Sequence, residues 1–202
     1  MTHSFTFARP APPLLADIAA RQSVTVFSHD GVEGSREQRV PPGYDSDHHR
    51  VCLGRGAQTF AAACAALRAW RMFPPGWTEI HPPGAPLTAG QPVVMLAHCL
   101  GLWWINNCRV VYALDDLSRT PEGDVRRYGF AYGTLPAHVE RGEERFLIEW
   151  NQADDSVWYD LWSFSQPARW FTRLGYPLAR RLQRRFARDS MTAMQNAVKE
   201  AL

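Results

Sequence analysis

Six strand-like runs follow one another between residues 77 and 165, and one long amphipathic stretch ends the chain. That order leaves few ways to fold. The runs are "WTEIH" (77–81), "QPVVMLAHC" (91–99), "WWINNCRVVYAL" (103–114), "VRRYGFAYGTL" (125–135), "EERFLIEW" (143–150) and "SVWYDLWSFS" (156–165). Polar or glycine-containing turns separate them, as antiparallel hairpins require. Residues 176–202 then read as a single helix, with Leu178, Leu182, Phe186, Ala193 and Ala197 along one face. A helix laid over one face of a strongly curved antiparallel sheet buries such a stripe, and closure of this kind leaves an internal cavity.

Upstream, "HRVCLG" (49–54) reads as a short strand and "GAQTFAAACAALRAW" (56–70) as a helix. Alanine dominates that helix, Phe60, Cys64, Leu67 and Trp70 recur at three- and four-residue steps, and "FPPGW" stops it. "PPLLADIAARQ" (12–22) is a second, shorter helix started by prolines, and "QPARW" (166–170) reads as a turn of helix. The polar, Gly- and Pro-rich residues 28–47 read as a loop or arm. The expectation is an α+β chain: an N-terminal helix and loop-rich arm over 1–47, then one domain over 48–202 with about seven strands.

A chain of 202 residues is long enough for one sizeable core. Eight tryptophans and ten phenylalanines in it point to an aromatic core or to a cavity lined by rings. A net charge of +2 makes no case for nucleic acid as a partner. The four cysteines form no CxxC pair, so reduced thiols are expected and a zinc site is not. No signal peptide is legible at the N-terminus, and no window reaches the roughly 20 apolar residues of a membrane span. A soluble, cytoplasmic protein is expected. "GRGAQTF" (54–60) lacks both the P-loop ending and the full GxGxxG spacing, and there is no GxSxG, so neither a cofactor nor a serine nucleophile is expected. A tight strand-to-helix turn explains Gly54 and Gly56.

Four segments carry a resemblance: "LGRGAQTFAAACAALRAWRMF", "CRVVYALDD", "FAYGTLPAHVERGEERFLIEW" and "SFSQPARWFTRLGYPLARRLQRRF". Together they cover most of residues 50–195, and "YGTLPAHVERGEE" is the most distinctive. The chain resembles the family catalogued as domain of unknown function nineteen-ninety, within the helix-grip superfamily of START-like and birch-pollen-allergen-like proteins. That resemblance implies the helix-grip fold. It implies no particular chemistry, since the superfamily mostly binds apolar ligands and includes some cyclases and hydrolases.

The residues that could carry chemistry lie in and around 132–150. Here "FAYGTL" runs into a turn at "PAHVERG" and returns as "EERFLIEW", which puts His138, Glu140 and Glu143 at a solvated hairpin tip. Alternation places Glu144 on one face with Phe146, Ile148 and Trp150. A carboxylate on an inward face needs a partner or a raised pKa. Arg109, with Asn107 on its face, is the partner the pattern offers. Their meeting across the sheet interior reads as a structural ion pair, an anchor for a ligand head group, or a general base. Tyr132, Trp150 and Trp162 would then line the ligand site, and an enzyme would use Glu144 with His138.

Asp160 stands among Trp158, Trp162 and Phe164, on a face the pattern does not decide. "DSDHHR" (45–50) reads as a solvated loop rather than a metal site. The stripe Arg180, Arg184 and Arg188 reads as a solvated helix face or a peripheral contact with anionic lipid. The leading expectation is a non-catalytic binder of a hydrophobic or amphipathic small molecule. A cavity enzyme and a structural or adaptor protein with a filled core are the alternatives.

Overall fold

Each strand-like run of the sequence forms a strand in the computed structural model, which describes residues 4–121, 123–168 and 176–202. The order is β1 (Phe5–Thr6), α1 (Pro12–Gln22), a 3-10 turn (Gly34–Glu37), β2 (Asp45–Arg55), α2 (Gly56–Arg68), β3 (Thr78–His81) and β4 (Pro92–Cys99). It continues with β5 (Leu102–Thr120), β6 (Gly123–Thr134), β7 (Glu140–Asn151), β8 (Ser156–Pro167) and α3 (Tyr176–Ala201).

The sheet runs β2-β8-β7-β6-β5-β4-β3, antiparallel throughout, with β1 added beside β5. Hairpins connect β3 to β8 in sequence, while α2 carries the chain from β2 at one edge of the sheet to β3 at the other, so that β8 returns to pair with β2. Irregularities at Cys52/Gly54 and Val110/Tyr112 shift the register, and such bulges bend and twist strands toward a grip around a helix. The architecture is a helix-grip: a curved antiparallel sheet closed by a long C-terminal helix.

Alternation along the strands divides the sheet into two faces. The inner face packs Val110, Phe130, Phe146 and Tyr159 against Ala63 and Leu67 of α2 and Met194 and Val198 of α3. All of these are buried, and the rings of Trp70, Phe73 and Tyr132 join them in the core. On the outer face, Leu15 and Ile18 of α1 pack on Val94, Leu96 and Ile105, while Tyr44 covers Trp162 and Phe164. Gly133 shows how closely the arm is seated: a Cβ there would come within 2.5 Å of His29 Nε2 and 3.0 Å of Phe27.

Three local expectations are corrected. "DSDHHR" is not a loop but the start of β2, where it pairs with β8 from Asp45↔Ser165 to Arg50↔Asp160. The helical turn expected over 166–170 does not start there, because β8 runs on through Pro167; residues 169–170 lie outside the described residues. The hairpin tip is not solvated either. His138 is 9% and Glu143 2% exposed, because the N-terminal arm covers one side of the tip and α3 the other. Gly54 (φ +141°) and Gly56 (φ +87°) do form the tight turn from β2 into α2, in backbone conformations that disfavour a side chain.

Candidate functional site

The register aligns Asp47, Ser163, Glu144 and Tyr132 in one row across β2, β8, β7 and β6 on the inner face. One row along lie His49, Leu161, Phe146 and Phe130, where the aromatic core begins. The polar row therefore borders the core on one side and an open space on the other. That space, about 320 Å³, lies between the sheet and α3. Its walls are mainly apolar, with Trp77, Met95, Trp104, Leu182 and Phe186 prominent, and Glu140, His138 and Asn106 add polar atoms.

Glu144 is held by one side-chain donor: the Tyr132 hydroxyl gives its proton to Oε2 at 2.6 Å. The Glu144 carboxyl is pushed up to about 7, chiefly by burial, with the tyrosine hydrogen bond opposing and the neighbouring Glu140 and Asp47 adding to the rise. Burial likewise raises Glu140, against the Gln183 hydrogen bond and the nearby Arg180. Gln183 Nε2 donates to both Glu140 oxygens at 2.8 Å and to Ser165 Oγ at 3.0 Å. Behind this row, Arg180 grips Asp47 with two nitrogens, one of them 2.7 Å from Oδ1, and donates to Gln183 Oε1 at 2.8 Å. His138 Nδ1 accepts the Glu140 N–H at 2.9 Å, and burial lowers the ring to about 4, so it is neutral near pH 7. Among the described residues no group of three or more His, Cys, Asp or Glu side chains is placed to hold a metal ion.

Of the site residues read from sequence, Glu144, Tyr132 and His138 line this pocket. Arg109, Asn107 and Trp162 do not. Cys108 faces the core, so its neighbours Asn107 and Arg109 face outward by strand alternation. The Arg109 guanidinium donates to the carbonyls of Ser23 and Thr25, both at 2.8 Å, and lies 4.3 Å from the Phe27 ring. It ties down the arm, and the expected Glu144–Arg109 pair does not form. Trp162 packs under Tyr44 on the outer face. Trp150 is on the inner face but belongs to the core beside Phe60, 5.7 Å between ring centroids, with Nε1 bonded to Asp155.

Asp160 faces outward and is buried between Arg145 (2.8 Å) and His48 (2.7 Å). Arg180 leaves the solvated stripe expected of it, because Asp47 takes up its charge; Arg184 and Arg188 stay exposed. Asn106 and Gln183 are pocket residues without a sequence-based expectation, while Asp47 and Glu140, expected in a solvated loop and at a solvated tip, line the pocket instead. Gln183 carried a usable signal, sitting between Leu182 and Phe186 on the apolar stripe of α3. Asp47 carried another, in phase with Val51 once β2 is extended back.

Over residues 28–193 the chain matches the sequence model of the family described as Domain of unknown function (DUF1990). The chain belongs to that family. Among its DUF1990 relatives, a UPF0548 protein of Dictyostelium discoideum is 32% identical, with 96% of this chain and 95% of that one aligned. A UPF0548 protein of Deinococcus radiodurans is 38% identical over 91% of this chain and 93% of its own length. One from Arabidopsis thaliana is 33% identical over 75% and 72% respectively. Among solved structures, Ara h 8.0201 superposes with a TM-score of 0.45 at 11% identity, covering 78% of this chain and 99% of its own. Human STARD10 gives a TM-score of 0.41 at 10% identity, over 96% and 81%. At that level of superposition neither speaks to what a DUF1990 protein binds. No helix among the described residues is long and apolar enough to cross a membrane.

Proposed function

We propose that this protein binds a small amphipathic molecule in the pocket between the inner sheet face and α3, without transforming it. The observation that carries the reading is a chamber with aromatic and aliphatic walls and one row of buried polar groups. Apolar walls supply affinity by burying ligand surface, and a few fixed polar atoms set orientation. A volume of about 320 Å³ is at the small end of the roughly 300–1,000 Å³ that ligand pockets span, which favours a compact molecule over a long-chain lipid.

Native mass spectrometry of the purified protein, followed by organic extraction, tests this. The expected result is a reproducible bound mass of roughly a few hundred daltons, a size that such a chamber holds. A clean apo mass that does not shift on challenge with a mixed lipid and metabolite extract contradicts it.

One observation favours a second reading, an enzyme. A carboxyl that titrates near 7 beside a ligand chamber is matched to general acid/base work near neutral pH. Glu144→Gln separates the two. A carrier changes in affinity by no more than about tenfold and has no turnover to lose, whereas an enzyme loses turnover by roughly 10²-fold or more. A peripheral membrane contact would now rest on Arg184 and Arg188, and Leu100 and Leu178, exposed apolar residues bordering the pocket, lend it support. Loss of liposome binding on mutating both arginines to glutamine is the result that reading requires.

A further inference from the structure

The charges around the pocket are one-sided. Asp47, Glu140, Glu143 and Glu144 all border it, and among the described residues no lysine or arginine does. Two of the four are satisfied from elsewhere. Asp47 is paired with Arg180. Glu143 turns its carboxylate outward, to the N–H groups of Glu33 and Ser35 and the Ser35 hydroxyl. Glu140 and Glu144 are left with neutral donors alone, an amide and a phenol.

A second observation, independent of these carboxylates, has the same sense. Asn106 lies on the same inner face and lines the pocket, and it is only 3% exposed. Its Oδ1 has no hydrogen-bond partner, while its Nδ2 meets only the Met95 sulfur at 3.7 Å. A buried acceptor without a donor is costly, and a ligand that donates there removes the cost. The pocket thus offers two carboxylates and an amide oxygen, all acceptors. Against them stand the neutral His138 ring, small hydroxyls and the Trp104 indole N–H, a buried donor that also has no hydrogen-bond partner, so the one-sidedness lies in the charges rather than in the neutral groups.

We infer that the molecule held in this pocket is a cation, a small amphipathic amine. Its protonated nitrogen is drawn to Glu144 and Glu140, with the Asn106 carbonyl as a further acceptor, and its apolar body lies against Trp77, Trp104 and Phe186. This rests on the pocket-binding reading above and narrows it to one class of ligand. An ammonium suits the site because it supplies several donors and no acceptor. Its charge compensates carboxylates that the fold leaves unpaired, and the aromatic walls favour a cation further. A carboxylate ligand of the same size would meet repulsion and find no guanidinium or ammonium partner among the described residues.

The test uses three probes with one skeleton, n-hexylamine, n-hexanol and n-hexanoate, titrated into the full-length protein by calorimetry near pH 8. Hexylamine is expected to bind about tenfold or more tighter than hexanol, the difference a charge-assisted hydrogen bond supports, and hexanoate weakest. Glu144→Gln is expected to reduce hexylamine affinity about tenfold and hexanol affinity by distinctly less. The ranking is read on the wild-type protein, so it decides the matter even if the variant does not fold. Equal affinities, or a preference for hexanoate, overturn the cation and leave the binding pocket standing. Absence of binding by all three overturns both.

Discussion

Glu143 and Glu144 are adjacent on β7, yet strand alternation sends them to opposite faces of the sheet and to opposite roles. Glu143 is 2% exposed and holds three donors from the N-terminal arm: the Glu33 N–H at 2.9 Å, the Ser35 N–H at 2.9 Å and the Ser35 hydroxyl. His29 Nε2 lies 4.0 Å away. Glu144 has one phenol donor and a pocket in front of it. A buried carboxylate whose donors are all supplied by its own chain is a fastening. One left short of donors is available to something else. The contrast extends to the two faces as wholes. The outer face pairs its charges, Arg145 with Asp160 and Arg50 and Arg127 with Glu149, whereas on the inner face Glu140 and Glu144 are met by an amide and a phenol.

The sharpest way to break this contrast is to remove the fastening. Glu143→Ala strips the acceptor from three donors and is expected to cost roughly 3–5 kcal/mol of unfolding free energy, read by chemical denaturation. A loss under about 1 kcal/mol would mean that the arm is held elsewhere.

The next effect concerns pH. Glu144 titrates higher folded than unfolded, so its contribution to stability is complete below about pH 4.5 and lost as pH rises through about 7. Glu144→Gln is therefore expected to match wild type at acid pH and to exceed it by on the order of 2 kcal/mol at pH 8. His138 has the opposite sign. Its folded pKa is lowered, so its contribution is present above about 6.5 and lost as pH falls toward 4. His138→Gln is expected to flatten the acid limb by a similar amount, measured as thermal midpoint against pH.

Smaller still is Arg109→Met. It gives up two part-buried bonds to arm carbonyls and a ring contact, expected to cost about 1 kcal/mol, and it leaves ligand binding in the pocket unchanged. A marked loss of binding would restore Arg109 to the site. Arg184→Gln with Arg188→Gln is expected to change stability by less than about 0.5 kcal/mol.

The elements of this fold were legible because their signals are local. Alternation in "EERFLIEW" and the three-four spacing of Phe60, Cys64, Leu67 and Trp70 define strand and helix without tertiary information. The inward placement of Glu144 followed from the same alternation. Its partner did not, because the inward side of β5 depends on the phase in which Cys108 faces the core, and "NNCRVVY" is apolar enough on both faces to read either way. The buried hairpin tip was illegible for another reason. Residues 136–143 are polar because their carboxylates and histidine are answered by groups distant in sequence, Ser35 in the arm and Gln183 in α3. Asp47 was hidden similarly, since its partner Arg180 lies 133 residues away and looked like one more arginine on a solvated stripe.

Carboxyl carbon NMR with glutamate side chains labelled observes both carboxylates at once, with and without hexylamine. The expected result is a Glu144 signal that titrates near 7 in the free protein and well below that when the amine is bound, because a cation favours the ionised form, while Glu143 is unmoved by the amine. A Glu144 that titrates like an ordinary glutamate, or an amine that shifts Glu143 and leaves Glu144 alone, would contradict the division of labour between the two faces.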